Sequence, residues 1–257
     1  MNKRPRPGGK PNHRSNRHKS QPPERHFIYG LHAVRAALDN PRRQKRKFMA
    51  TPNALRRLTE DAPLPAGTPE LEDTTPRQLD KLLGADAVHQ GVALEVEPLD
   101  REPLSSFRDG RLIVILDQVT DPHNVGAILR TACAFGADAL LTTARHAPRE
   151  TGVMAKSASG ALDIVPFIEV RNLGDAMEEL QALGFRCIGF DSEAAEELAA
   201  GGASERTAIV LGAEGKGLRQ KTRSLCDRLV RLDMPGPIKS LNVSNAAAIA
   251  LFAVTRG

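Results

Sequence analysis

From residue 111 onward, short apolar runs alternate with longer amphipathic segments. The apolar runs predict strands at 112–118, 138–143, 164–168, 186–190, 207–211 and 229–232. Between and after them, apolar residues recur at helical spacing and predict helices at 124–135, 150–160, 173–183, 218–226 and 242–254. This alternation is typical of an α/β domain in which helices cover both faces of a parallel sheet.

The residues before this domain follow a different pattern. Periodicity and breaker residues predict helices over 28–38 and 75–83, strands at 48–50 and 91–96, and a loop over 61–75. We therefore expect residues 26–98 to form a small α/β domain. Residues 99–110, with Pro, Ser and an Asp-Gly pair, are expected to be a linker to the domain at 111–257.

The last predicted helix stands out because it is apolar and rich in alanine. It follows a loop that Pro235 and Pro237 make rigid, since each proline fixes φ and lacks an amide donor. Three residues after this loop are candidate N-caps: Ser240, Asn242 and Ser244. A helix with so few polar residues is expected to be buried on all sides, within the chain or against a second subunit.

Charge is unevenly distributed along the 257 residues. The net charge is +5, but residues 1–25 alone carry +7, which leaves −2 for the remainder. The first segment lacks apolar periodicity, so we expect a disordered basic tail that binds nucleic acid or only adds solubility. A second basic cluster, at 42–47 with Arg56 and Arg57, is a candidate phosphate-binding face or an ordinary solvated surface.

Composition argues against several classes of protein. No apolar run reaches 18 residues and the N-terminus is too basic for a signal peptide, so we expect a soluble cytoplasmic protein without a membrane partner. Cys133, Cys187 and Cys226 are far apart, which favours reduced core cysteines over a disulfide framework or a metal site. With one Tyr and no Trp, base-stacking platforms are not expected.

The glycines at 212–217 suggest a ligand loop, but not a phosphate loop. A Walker motif needs Lys directly after its last Gly, where Leu218 stands, and a dinucleotide fingerprint needs Gly where Gln220 stands. Glu214 would also repel phosphate, whereas it suits a cationic ligand or a sugar hydroxyl. A tight turn without a ligand is the alternative.

Three loops together resemble the SPOUT superfamily of S-adenosylmethionine-dependent methyltransferases, in particular the TrmH-like RNA ribose 2′-O-methyltransferases. Residues 121–130 look like the family's first motif, 212–217 like its second and 240–244 like the core of its third. Residues 156–161 resemble a further family segment. The resemblance implies a deep trefoil knot, S-adenosylmethionine as cofactor and a homodimer with the 242–254 helix near the subunit contact.

The resemblance extends to the first domain. Residues 29–34 and 89–92 look like the ends of the family's L30e-like RNA-binding domain. This is similar to the subgroup that modifies a guanosine in the peptidyl-transferase region of large-subunit ribosomal RNA. Relatives usually carry Ile-Pro-Met where Leu232, Asp233 and Met234 stand, so Asp233 departs from the family pattern.

Site residues follow from the resemblance. The implied cofactor site comprises Gly212, Gly217, Leu232, Met234, Ser240 and Leu241, and the implied catalytic residues are Arg130, Asn124, Glu214 and Asn242, with no metal. The family proposal makes Arg130 a general base. Because arginine stays protonated, we expect a clamp on phosphate or the 2′-oxygen, oriented by the other three. A tRNA ribose methyltransferase and a catalytically silent ribosome-assembly factor are the alternative functions.

Overall fold

A computed structural model describes residues 25–145, 150–198, 205–237 and 240–256. The expected basic tail lies outside these ranges, apart from Arg25. None of the helices in the described ranges is long and apolar enough to span a membrane.

Residues 26–96 form a four-stranded sheet with three helices. Its elements are β1 (His26–Tyr29), α1 (Leu31–Asp39), β2 (Lys45–Ala50), α2 (Pro52–Leu58), β3 (Leu71–Asp73), α3 (Pro76–Leu83) and β4 (Val92–Val96). The strand order is β1-β4-β2-β3, in which β4 is antiparallel to β1 and β2. The helix predicted over 28–38 begins only at Leu31, because the residues before it pair with β4. The prediction of a loop over 61–75 missed β3, which has a single apolar residue.

Within the described residues, the second sheet has seven strands, and all its neighbouring strands are parallel. Its strands are β5 (Leu112–Asp117), β6 (Ala139–Thr143), β7 (Phe167–Val170), β8 (Arg186–Phe190), β9 (Glu196–Glu197), β10 (Thr207–Gly212) and β11 (Arg228–Arg231). The strand order is β7-β6-β5-β10-β8-β11-β9. The helices are α4 (Pro122–Ala134), α5 (Gly152–Ala158), α6 (Leu173–Ala182), α7 (Gln220–Ser224) and α8 (Val243–Thr255). Two 3₁₀ turns lie at Leu104–Phe107 and Ala161–Asp163.

Alternate residues of β5 show that helices cover both faces of this sheet. Leu112, Val114 and Leu116 belong to a core shared with α4, α5 and α8. Ile113 and Ile115 face the opposite core, which α6 covers. The predicted α/β architecture is therefore confirmed, whereas the knot stays a prediction of the resemblance.

Two predicted elements of this domain need correction, and one strand was missed. The strand predicted at 164–168 starts at Phe167, because the 3₁₀ turn Ala161–Asp163 precedes it and Ile164 is 63% exposed. The helix predicted over 218–226 is confined to α7, and β9 was missed because two glutamates carry no strand pattern.

The prediction that α8 is buried on all sides is wrong for the single chain. Ala247, Ala250 and Leu251 are fully buried, but Ile249 is 45% and Phe252 48% exposed. α8 packs on α4 and β10 from one side, which leaves its opposite side uncovered. The result is an exposed apolar face on a helix that sequence alone places in a core.

The three cysteines are free; Cys187 is buried, as expected for a core residue, whereas Cys133 and Cys226 are half-buried. Burial raises the pKa of Cys187 to about 12, with smaller contributions from Cys226 and Asp227. Burial also raises the pKa of Cys226 to about 12. Both thiols therefore stay protonated near neutral pH and are poor nucleophiles.

Candidate active site

A cavity of about 230 Å³ opens at the carboxyl ends of the central strands of the parallel sheet. Its walls come from the chain after β8, β10 and β11 and from the first turns of α8. All six residues of the predicted cofactor site line it: Gly212, Gly217, Leu232, Met234, Ser240 and Leu241. Ligands in open parallel sheets bind at this end of the strands, so the position agrees with the architecture.

The glycine loop is folded back on itself at one wall of the cavity. A Cβ atom at Gly212 would lie 2.2 Å from the carbonyl carbon of Gly217 and 2.3 Å from its oxygen. Gly217 N–H also donates to the carbonyl oxygen of Ala213 at 2.8 Å. Because no side chain fits between these backbones, position 212 must be glycine for the loop to close.

A buried carboxylate holds this loop against the end of β5. Asp117 is fully buried, and its Oδ1 and Oδ2 accept hydrogen bonds from Arg219 Nε at 2.6 Å and Arg219 N at 3.0 Å. Each oxygen of the buried carboxylate therefore accepts a hydrogen bond, and the Arg219 guanidinium balances its negative charge. Sequence reasoning gave Asp117 no role, since its partner lies 102 residues away.

An amide pair joins the first and third motifs. Asn242 Nδ2 donates to Asn124 Oδ1 at 3.0 Å, while Asn242 Oδ1 accepts from Ser244 N at 2.9 Å and so caps α8. α4 is capped by Asp121, whose Oδ1 accepts from His123 N at 3.0 Å. Asn124 is therefore not the N-cap of α4, and its hydrogen bond to Asn242 fixes the start of α4 against the start of α8.

Arg130 lies away from the cavity in the single chain. It is exposed on α4, six residues after Asn124 and hence about 240° around the helix axis. Within the described ranges it has no hydrogen-bond or ion-pair partner, so Asn124 and Asn242 orient each other rather than Arg130. Glu214 is exposed at the cavity, and no described residue pairs with it.

The lining suits a ligand with an apolar ring, hydroxyl groups and a positive charge. Leu211, Leu241 and Val243 supply apolar surface, and Glu214 supplies a carboxylate without a partner among the described residues. These features fit S-adenosylmethionine, which carries an adenine, a ribose and a sulfonium cation. Asp233, which departs from the family pattern, is exposed and is absent from the lining.

Sequence reasoning missed the cavity residues at the end of β8 and just after it. Phe190, Asp191 and Ser192 line it, but they lie in no recognised motif. Asp191 is not free to meet a ligand charge, because its Oδ2 pairs with Arg223 at 3.0 Å. Only the order of strands in the sheet, which puts β8 between β10 and β11, brings this segment to the cavity.

Comparison with known proteins gives two family matches in series. The model of the SpoU rRNA methylase family matches residues 111–252. The model described as RNA 2′-O ribose methyltransferase substrate binding matches residues 27–102. Together they cover both sheets.

Curated relatives are similar over almost their whole length. The chain is 37% identical over 243 residues to the 23S rRNA (guanosine-2′-O-)-methyltransferase RlmB of Pseudomonas putida, covering 89% of this chain and 95% of the relative. It is 39% identical to the protein of the same name from Pseudomonas syringae, covering 89% and 94%.

A solved structure supports the fold. The SpoU methyltransferase AviRb from Streptomyces viridochromogenes, in complex with the cofactor AdoMet, superposes with a TM-score of 0.73. The match covers 90% of this chain and 89% of that chain at 24% identity.

Proposed function

The chain belongs to the SpoU rRNA methylase family and is an S-adenosylmethionine-dependent RNA 2′-O-ribose methyltransferase, and on this premise we propose that it modifies a guanosine of 23S ribosomal RNA. The single observation that carries the proposal is that the loops of the second and third motifs line one cavity. The hydrogen bond between Asn242 and Asn124 ties the first motif to the third beside it. The named activity of relatives that are 37–39% identical supports the choice of substrate. A ribosomal substrate implies that the protein works in the cytoplasm.

We assign the cofactor to the cavity at the glycine loop. Gly212, Gly217, Leu232, Met234, Ser240 and Leu241 would hold it, in large part through main-chain groups. When bound, the cofactor supplies a methyl group that is already activated by the positive sulfur. The chain therefore has to align a ribose oxygen with that methyl and to stabilise charge on the oxygen. Glu214 would face the cationic part of the ligand or a ribose hydroxyl.

Arg130 is proposed as the residue that clamps the ribose or its phosphate. Its guanidinium stays protonated and presents a planar set of donors, which suits an oxyanion better than a proton transfer. In the described part of the chain these donors have no partner, so they are available to RNA. Asn124 and Asn242 would act by fixing α4 against α8.

A homodimer accounts for the distance between Arg130 and the cavity. Ile249 and Phe252 form an exposed apolar face on α8, of the kind that marks a protein contact. α4 carries Arg130 and packs beside α8, so a second copy on that face would adjoin the helix with Arg130. We propose that the active site is completed by the second subunit.

The decisive experiment is transfer of labelled methyl from S-adenosylmethionine to purified 23S ribosomal RNA and, in parallel, to tRNA. Mapping the methylated ribose should place one methyl group on a guanosine of 23S RNA. Methylation of tRNA alone would favour the tRNA enzyme instead. Binding of ribosomal RNA with no methyl transfer under any condition would favour the silent assembly factor.

A further inference from the structure

The two domains are joined by direct contacts as well as by the linker. α5 packs on β1 and α1, and the 3₁₀ turn Ala161–Asp163 packs on α1. At Gly152 a Cβ atom would lie 2.2 Å from Tyr29 Cε1 and 2.7 Å from the carbonyl oxygen of Phe27. Such an approach needs glycine and tolerates little sliding between the surfaces.

Gln90 makes the first directional contact across this seam. Its Oε1 accepts hydrogen bonds from Leu31 N at 3.1 Å and from Lys156 Nζ at 2.9 Å. Leu31 opens α1, whose N-cap is Gly30, so the Gln90 carboxamide satisfies an amide that the helix itself leaves free. One oxygen atom thereby joins the start of α1 in the first domain to α5 in the second.

Arg43 makes the second contact and is completely buried. Its Nε donates to Asp163 Oδ1 at 2.8 Å and its Nη1 to Glu150 Oε1 at 2.5 Å. Asn40 Nδ2 also donates to Asp163 Oδ1, at 3.0 Å. The cation belongs to the first domain and both carboxylates to the second. Burial removes Arg43 from the phosphate-binding face predicted for 42–47, and it makes the ion pairs sensitive to any change of domain orientation.

Three of the segments singled out by the family resemblance meet at this seam. Residues 29–34, 89–92 and 156–161 all contribute to it, whereas none of them lines the cofactor cavity. We call Gln90, Lys156 and the cluster of Arg43, Glu150 and Asp163 the domain joint. An apolar seam would hold the domains equally well, so the polar contacts are better explained by the need for one orientation.

We propose that Gln90 and Lys156 are positioning residues that hold the substrate-binding domain and the methyltransferase domain as one rigid unit, so that RNA bound by the first reaches the cavity of the second at a fixed distance. This inference rests on the proposed RNA methyltransferase function. A displacement of about 1 Å at a reacting centre is enough to cost a large part of the rate. A rigid joint therefore bears directly on turnover.

Kinetics on a long 23S RNA fragment test the positioning role. Gln90→Ala and Lys156→Met should each lower kcat roughly tenfold, through misplacement of the ribose, while the affinities for RNA and S-adenosylmethionine stay within about twofold of wild type. Gln90→Glu keeps an acceptor for both donors and should restore most of kcat. Lys81→Met, an exposed lysine on α3, is the matched control and should have wild-type kinetics.

Two outcomes would overturn the positioning role. One is a lowered melting temperature with normal kcat at a temperature where the variants are folded, which is what a purely structural contact gives. The other is an equal loss of kcat in Lys81→Met.

Calorimetry tests the rigid unit without relying on methylation. The wild type should unfold in one cooperative transition, because tightly coupled domains lose structure together. The double variant Gln90→Ala, Lys156→Met should separate it into two. Two independent transitions in the wild type would refute the rigid joint even if methylation is normal. A single transition in a protein that methylates no RNA would sustain the joint and refute the proposed function instead.

Discussion

The domain joint and the cofactor cavity use charged side chains in opposite ways. At the joint, the buried Arg43 is paired with two carboxylates of the other domain. Glu214 is exposed at the cavity and Arg130 is exposed on α4, away from it. Neither has a partner among the described residues. Arg43 is thus paired within the chain, whereas Glu214 and Arg130, which we propose to meet the cofactor and the RNA, keep their bonding capacity free. Pairing at the joint and open exposure of Glu214 and Arg130 are consistent with the roles proposed for these residues.

The largest expected effect lies at the joint. Arg43→Met leaves Asp163 and Glu150 buried without their cation and should reduce the free energy of unfolding by about 3–5 kcal/mol. Arg42→Met is the matched control, because Arg42 is 54% exposed in its ion pair with Glu102 and should cost less than about 1 kcal/mol. Denaturant unfolding measures the free energy of unfolding of both variants. Equal losses of stability in Arg43→Met and Arg42→Met would mean that burial of the ion pair is unimportant.

Arg130 is expected to behave in the reverse manner, with a large effect on rate and little on stability. Arg130→Ala should lower turnover by roughly two to three orders of magnitude, as removal of one oxyanion donor does, and Arg130→Lys should be nearly as poor because it lacks the planar fork. Single-turnover methylation with saturating RNA, alongside calorimetric titration of the cofactor, measures this. Near-normal turnover in Arg130→Ala would show that Arg130 takes no part in catalysis. A variant that fails to fold would show that Arg130 has a structural role instead.

The exposed face of α8 should matter for assembly. Replacing Phe252 by Arg removes an apolar side chain worth about 1.5–3 kcal/mol when buried, so the dimer should dissociate at micromolar concentration. Light scattering gives the mass directly. Ala247 and Ala250 are unsuitable positions for this test, since both are fully buried within the chain and a large side chain there would disrupt the core. A monomeric wild type would refute the dimer.

The smallest expected effect concerns the glycine loop. Gly212→Ala forces the loop away from Gly217 and should weaken cofactor binding by at least about tenfold, or roughly 1.4 kcal/mol. Gly236→Ala is the control in the neighbouring loop, where a Cβ atom meets nothing within 4 Å. Isothermal titration with S-adenosylmethionine compares the two. Equal affinities would show that loop closure at position 212 does not shape the cavity.

Sequence periodicity was a good guide wherever the pattern is local. Five elements lie within one or two residues of their predicted bounds: β5, β6, β8, β10 and α6. A buried strand and an amphipathic helix each have a characteristic spacing of apolar residues, which can be recognised in the sequence. It failed for β3 and β9, which are short edge strands defined by pairing rather than by apolar residues. It also assigned the residues of β1 to a helix, since Ile28 and Tyr29 suit either spacing.

By itself, the sequence predicted the alternating α/β domain, because strand and helix periodicity is a local pattern. Its resemblance to a family added three motif loops and six of the residues that line the cavity. The tertiary structure alone decided which distant groups meet. Asp191 reaches the cavity because β8 lies between β10 and β11. Arg43 is buried instead of lying on the basic surface, because it pairs with Glu150 and Asp163, which are 107 and 120 residues further along the chain. Burial and pairing are properties of the folded chain, and no local spacing encodes them.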